Sequence, residues 1–255
     1  MRDLISFLTQ LPVKGAVSLE RVIARSCLFP VIGALIGIVV ALVAFLAFRV
    51  LAAAPDLAAV LTLLGLYLFT GLLHLDGLAD FFDGVMAPGS KDEKRRAMKD
   101  DQTGIAGLFA TLVLLLLSLA AIKTVGVHRA SAAIDGTFSS FYHFLAIFVT
   151  AEVAAKLSMN TCLLLGRNYP ASAGVGRLFI LAFKPRAYLL ALSAALLLAY
   201  LVTVSMQCLT VLMGVLVAGG VTHLAKLKFG AVSGDVLGAS NELARCATLL
   251  LWAVL

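Results

Sequence analysis

An all-α fold, a polytopic membrane bundle of about seven transmembrane helices with its N-terminus cytoplasmic, is predicted by three observations. Of the 255 residues, 62% are hydrophobic and only 13% are charged, and the mean hydropathy is +1.04. A soluble domain is typically about 45–50% apolar and about 25% charged, so one core could not hide this much apolar surface. The apolar residues also fall into runs of about 20, the length a helical span needs. Finally, Lys and Arg concentrate in alternate inter-run segments. The composition excludes a soluble globule, a disordered chain and a disulfide scaffold. A closed β-barrel is the other structure a bilayer tolerates, but period-2 alternation is absent.

The runs predict spans at roughly Ser26 to Val50, Leu57 to Leu75, Gly104 to Ala121, Phe138 to Leu165, Tyr188 to Val204, Cys208 to Ala225 and Val236 to Leu255. Residues 1–26 carry Arg2, Lys14, Arg21 and Arg25 without a continuous apolar stretch, so the first run reads as a span rather than a cleaved leader. Alternate segments carry 15 and 3 basic residues, with Lys156 and Arg245 left inside spans. Basic loops face the cytoplasm. The chain therefore reads as a multi-pass protein of the cell membrane, embedded in the lipid bilayer. It is one domain over 1–255, with cytoplasmic loops at about 76–103, 166–187 and 226–235. The net charge of +6 then reflects topology, and no nucleic-acid partner is expected. Cys27, Cys162, Cys208 and Cys246 stand singly, which suits packed or lipid-facing thiols.

Seven of the 14 acidic residues lie between positions 76 and 101. Asp76, Asp80 and Asp83, within HLDGLADFFDG, stand at i, i+4 and i+7 and so share one helix face. Like charges at that spacing repel, and near a bilayer they need a compensating cation. Carboxylate oxygens suit Mg²⁺ or Mn²⁺, and Mg²⁺ usually takes one or two carboxylates plus substrate phosphates. The other reading is a merely solvated acidic face, which fits poorly between Phe81 and Phe82 at a span end. His74 precedes the run and reads equally as a ligand, proton donor or packing residue. Arg95, Arg96 and Lys99 suit either phosphates or anionic headgroups. Asp100 and Asp101 precede Gly104 and could add a second carboxylate pair. Ser233, Gly234 and Asp235 open a glycine-rich helix of the kind that receives phosphate, although small-x-x-x-small spacing also serves helix packing. Glu242 lies two turns inside that span, where an ionisable residue is a functional candidate. Glu152 and Lys156 form an i,i+4 pair that either self-neutralises or lines a polar cavity.

HLDGLADFFDG, MKDDQTGIAG and SGDVLGASNEL, in that order and supported by FLTQLPV and FPVIGALIG, resemble the cobalamin synthase family, the adenosylcobinamide-GDP ribazoletransferases. The likeness runs from about Phe7 to Glu242. It implies a Mg²⁺-dependent membrane enzyme. A hydroxyl of α-ribazole or its 5′-phosphate would attack the cobinamide-linked phosphate of adenosylcobinamide-GDP, releasing GMP and forming adenosylcobalamin or its phosphate. On that reading Asp76, Asp80, Asp83 and Asp100 hold metal, and Asp80 or Asp83 is the general base, with His74 a further catalytic candidate. Lys99, Arg95, Arg96, Gly104, Ser233, Gly234, Asp235 and Glu242 contact substrate, and Asp235 and Glu242 complete the metal site or orient the nucleoside. A homo-oligomer is compatible with it. The sequence departs from the family pattern at Asp101 for Ser, Gln102 for Arg, Gln10 for Arg, Lys156 for Arg and Ser233 for Thr, which leaves Asp100 the firmer of the two later ligands. Two rival readings are a CDP-alcohol phosphotransferase and a cation transporter. The first lacks the Ala-Arg expected after Gly84, where Val85-Met86-Ala87-Pro88 follows. The second calls for repeated broken helices, which the sequence does not show.

Overall fold

The computed structural model describes the backbone of residues 1–13, 15–131 and 137–255, with side chains except at 128–131 and 137–140. Lys14 and the side chains of His128 and Arg129 lie outside that set. The described chain is helical: α1 (Arg2–Leu8), α2 (Leu19–Ala24), α3 (Phe29–Val50), α4 (Pro55–Thr70), α5 (Leu73–Met86), α6 (Lys91–Ala97), α7 (Ile105–Ser131), α8 (Thr137–Leu165), α9 (Val175–Ala182), α10 (Pro185–Thr203), α11 (Met213–Phe229) and α12 (Gly234–Val254). The β pairing among the described residues is one isolated bridge, Pro170 to Val232.

Five stretches are long and apolar enough to cross a membrane: Ser26–Val50, Ile105–Val127, Phe141–Leu165, Pro185–Thr203 and Met206–Lys228. The pair α4 and α5 passes only if taken together, bent by 97°, which makes five or six. Two expected spans therefore change. The second does not continue to Leu75. It stops at Thr70, where Gly71 takes φ +75°, a conformation other residues adopt at a cost. The chain then turns, so the acidic run starts a separate helix outside the five spans. The last expected span is a helix of 21 residues, about 31 Å long, but Ser240, Asn241, Glu242 and Arg245 make it too polar to qualify by composition. It is enclosed instead by α5, α7, α8 and α11.

At the centre stands α8, whose spanning window is 94% buried, whereas that of α7 is 28% buried. The segments expected as loops are largely helical. Residues 76–103 hold most of α5 and all of α6, and 166–187 holds α9. Helix α6 starts on a reciprocal cap: Ser90 Oγ accepts from Glu93 N, and the Glu93 carboxylate accepts from Ser90 N at 2.6 Å. Those bonds hold the Glu93 carboxyl below its ordinary value. Lys94 binds the Val85 and Ala87 carbonyls at the end of α5, which fixes α6 against the acidic helix.

Candidate active site

Helix α5 crosses α12 at a point where both carry glycine. A Cβ on Gly77 would lie 3.1 Å from Asp235 Cα, and one on Gly238 would lie 3.0 Å from the His74 carbonyl oxygen. Only glycine lets two backbones approach this closely. The crossing brings Asp76 and Asp80 of α5 to Asp235 at the start of α12. Asp80 is half-buried. Burial, then the charges of Asp76, Asp235 and Asp83, push its carboxyl up to about 6. The structure thus collects negative charge that no neighbouring cation on α5 offsets.

The other predicted residues divide. Asp83 is committed to the start of α7: its two oxygens accept from Gly104 N at 2.7 Å and Gly107 N at 2.8 Å, and it sits at the positive end of the helix dipole. Gly104 therefore gives its amide to a protein carboxylate. Asp83→Ala is expected to strand those two amides at about 1–3 kcal/mol, lowering the unfolding midpoint in detergent by about 2–12 °C. An unchanged midpoint in a thermal-shift assay would contradict the cap. Asp100 is exposed and accepts from Gln102 N at 3.1 Å, a local turn. It is not among the charges acting on Asp80. Arg95 donates to the Phe229 carbonyl at 2.5 Å and pairs with Asp92, tying α6 to the end of α11. Arg96 is exposed and acts on Glu93. Lys99 is exposed and acts on Asp235. Ser233 caps α12, accepting from Val236 N and donating to Asp235 Oδ2 at 3.0 Å. Gly234 lies against Gly176 at the start of α9.

Glu242 does not reach the acidic crossing. It lies about 10 Å deeper along α12, within a buried charge network. Arg245 grips Glu152 through Nε at 2.5 Å and Nη2 at 3.4 Å, and Glu242 through Nη1 at 2.6 Å. Tyr67 donates to Glu242 at 2.8 Å. Lys156 lies 3.7 Å from Glu152 and donates to Asn241 at 2.7 Å. Two acids and two bases make the group neutral while it joins α4, α8 and α12. Glu152 and Lys156 do pair, as their spacing suggested, but Arg245 is the main partner of Glu152.

Between α5, α9 and α12 lies a cavity of about 240 Å³, lined by Phe7, Phe29, Phe179 and His74, with Asp76 and Asp235 also in its wall. A second, apolar hollow of about 710 Å³ runs between α7 and α12, beside Phe82 and Met86.

For a divalent ion the donor chemistry fits: Asp76, Asp80 and Asp235 offer hard oxygens, with Lys99 acting on Asp235 and no cation among the groups acting on Asp80. No three His, Cys, Asp or Glu side chains among the described residues form a ready cage. An ion held here would need a phosphorylated ligand to complete its coordination.

A family model described as cobalamin-5-phosphate synthase matches residues 1–253. The chain belongs to that family. An adenosylcobinamide-GDP ribazoletransferase from Thermococcus onnurineus is 35% identical over 254 residues, covering 99% of this chain and 97% of the relative. Another so named, from Halorubrum lacusprofundi, is 38% identical, covering 98% and 94%. A third, from Pyrococcus abyssi, is 35% identical over 98% and 96%. No solved structure matches. The sequence marks Arg245 only as a basic residue inside a span and does not single out Asn241 and Tyr67 of the network or Phe179 of the cavity. The equal count of buried acids and bases on the fourth and last apolar runs was the available signal for the first. Phe7 and Phe29 stand in FLTQLPV and FPVIGALIG, strings read only as family likeness.

Proposed function

We propose that this chain is an adenosylcobinamide-GDP ribazoletransferase, joining α-ribazole or its 5′-phosphate to the cobinamide phosphate with release of GMP. The observation that carries this is the α5–α12 crossing, which sets Asp76, Asp80 and Asp235 beside a nucleoside-sized cavity; the family membership and the names of its relatives agree with it. In the reaction, a ribose hydroxyl oxygen forms a bond to the phosphorus carried by cobinamide, and the bond from that phosphorus to the GMP oxygen breaks. Asp80, one helical turn from Asp76 on the same face of α5, accepts the hydroxyl proton as general base. Asp76 and Asp235 would hold Mg²⁺, which when bound offsets the charge of the diphosphate and of departing GMP. Lys99, beside Asp235, faces the same phosphates.

The proposed topology is seven crossings with the N-terminus and the site on the cytoplasmic side. Supporting it are the 15-to-3 distribution of Lys and Arg and the length of α12, whose polar residues are shielded by its neighbours. The test is turnover by the purified full chain in liposomes. GMP and adenosylcobalamin should form from adenosylcobinamide-GDP and α-ribazole with Mg²⁺, and EDTA should abolish both. Product from a CDP-alcohol donor, and none from the corrinoid, would point to the rival transferase.

A further inference from the structure

We propose that the cavity between Phe7, Phe29, Phe179 and His74 seats the heterocyclic base of ribazole, with His74 donating a hydrogen bond to the free nitrogen of that ring. This rests on the ribazoletransferase reading and adds which part of which substrate binds where.

The cavity is walled by aromatic rings. Phe179 sits 5.5 Å from Phe7 and 5.9 Å from Phe29, centroid to centroid, at tilts of 31° and 45°. Such faces stack on any planar ring. The three phenylalanines come from α1, α3 and α9, far apart in sequence, so the fold assembles this wall. His74 is only 8% exposed, lines the same space, and forms no hydrogen bond among the described residues. A ligand atom in the cavity would supply the hydrogen-bond partner that the described residues do not. At the other edge Asp76 and Asp235 complete the wall. A nucleoside entering ring first would leave its ribose hydroxyls at those carboxylates, beside Asp80.

Size and polarity select the occupant among the substrate parts. A volume of about 240 Å³ lies below the roughly 300–1,000 Å³ of sites for larger ligands, so the corrin ring is excluded. Guanine presents several donors and acceptors along its edges, and each would need a partner on burial. Away from the edge held by Asp76 and Asp235, the lining offers one imidazole among apolar side chains. A benzimidazole base is apolar around its rim with one ring nitrogen to satisfy, which matches.

The test is steady-state kinetics of the full chain in liposomes, each substrate varied with the other saturating. Phe179→Ala should raise KM for α-ribazole by about tenfold or more, on the scale of lost aromatic stacking, with KM for adenosylcobinamide-GDP changed by less than about twofold. His74→Leu should raise the same constant, and Phe179→Tyr should restore it. In the wild type, free 5,6-dimethylbenzimidazole should inhibit competitively against α-ribazole and not against the corrinoid, a result that needs no variant to fold. A selective rise in KM for adenosylcobinamide-GDP, no change in either constant, or inhibition competitive with the corrinoid would overturn the base seat while leaving the activity standing. A wild-type protein that releases no GMP overturns the activity and the seat together.

Discussion

Arg245→Met is expected to lower the unfolding midpoint of the purified protein in detergent by about 6–20 °C. Arg245 binds two carboxylates, Glu152 and Glu242, at 2.5 and 2.6 Å, and all three residues are buried. Removing one partner of a buried ion pair typically costs about 3–5 kcal/mol, because the remaining charge is stranded, and about 1 kcal/mol shifts the midpoint of a chain this size by about 2–4 °C. Here Lys156 would remain to face two carboxylates, at 3.7 Å from Glu152. The double variant Arg245→Met, Glu242→Gln, which removes one base and one acid and leaves Glu152 with Lys156, should recover most of the loss, since replacing a whole buried pair by neutral groups is often close to neutral. Thermal unfolding followed by Trp252 fluorescence checks this. A midpoint equal to wild type in the single variant would show that the network does not hold α8, α12 and α4 together.

Gly238→Val should leave a folded protein with turnover down about 10²-fold. The branched side chain would meet the His74 backbone and Gly77, where even one methyl would lie 3.0 Å from the His74 oxygen. The crossing must open, and overpacking of this kind usually costs about 1–3 kcal/mol, which a chain of this size can survive. The effect on catalysis is larger, because displacing reacting groups by about 1 Å can cost about 10²-fold. Gly238→Ala should be milder. The measurement is kcat beside a size-exclusion profile. A monodisperse Gly238→Val protein with wild-type kcat would mean that the α5–α12 approach does not set the site.

Much of the architecture was legible in the sequence, for a physical reason. A lipid-facing helix must be apolar over about 20 residues, and five expected runs reappear as apolar helices in the structure. The exceptions are the two elements whose solvent is protein. Helix α12 has neighbours on every side and can carry Asn241, Glu242 and Arg245, so hydropathy understates it. Helix α5 is set by a turn at Gly71, which composition does not announce. The acidic stripe was legible from its i, i+4, i+7 spacing. Its sorting was not, because the partner of Asp83 lies 21 residues away at Gly104 N and the partner of Glu242 is a guanidinium that the sequence reading left unassigned. Phe179 was illegible for the same reason. It gains meaning only beside Phe7 and Phe29, and nothing local brings those three together.

The account stands most directly on the carboxylates at the α5–α12 crossing, and a Mg²⁺ titration of turnover tests them. GMP release would be followed with both substrates saturating, for wild type, Asp76→Asn and Asp80→Asn. Asp76→Asn should need more Mg²⁺ for half-maximal rate and approach wild type as the ion is raised. Asp80→Asn should stay slower by about 10²–10⁴-fold at every Mg²⁺ concentration, the range a positioned general base contributes. Wild-type rates and wild-type Mg²⁺ dependence in both variants would contradict the assignment of the site.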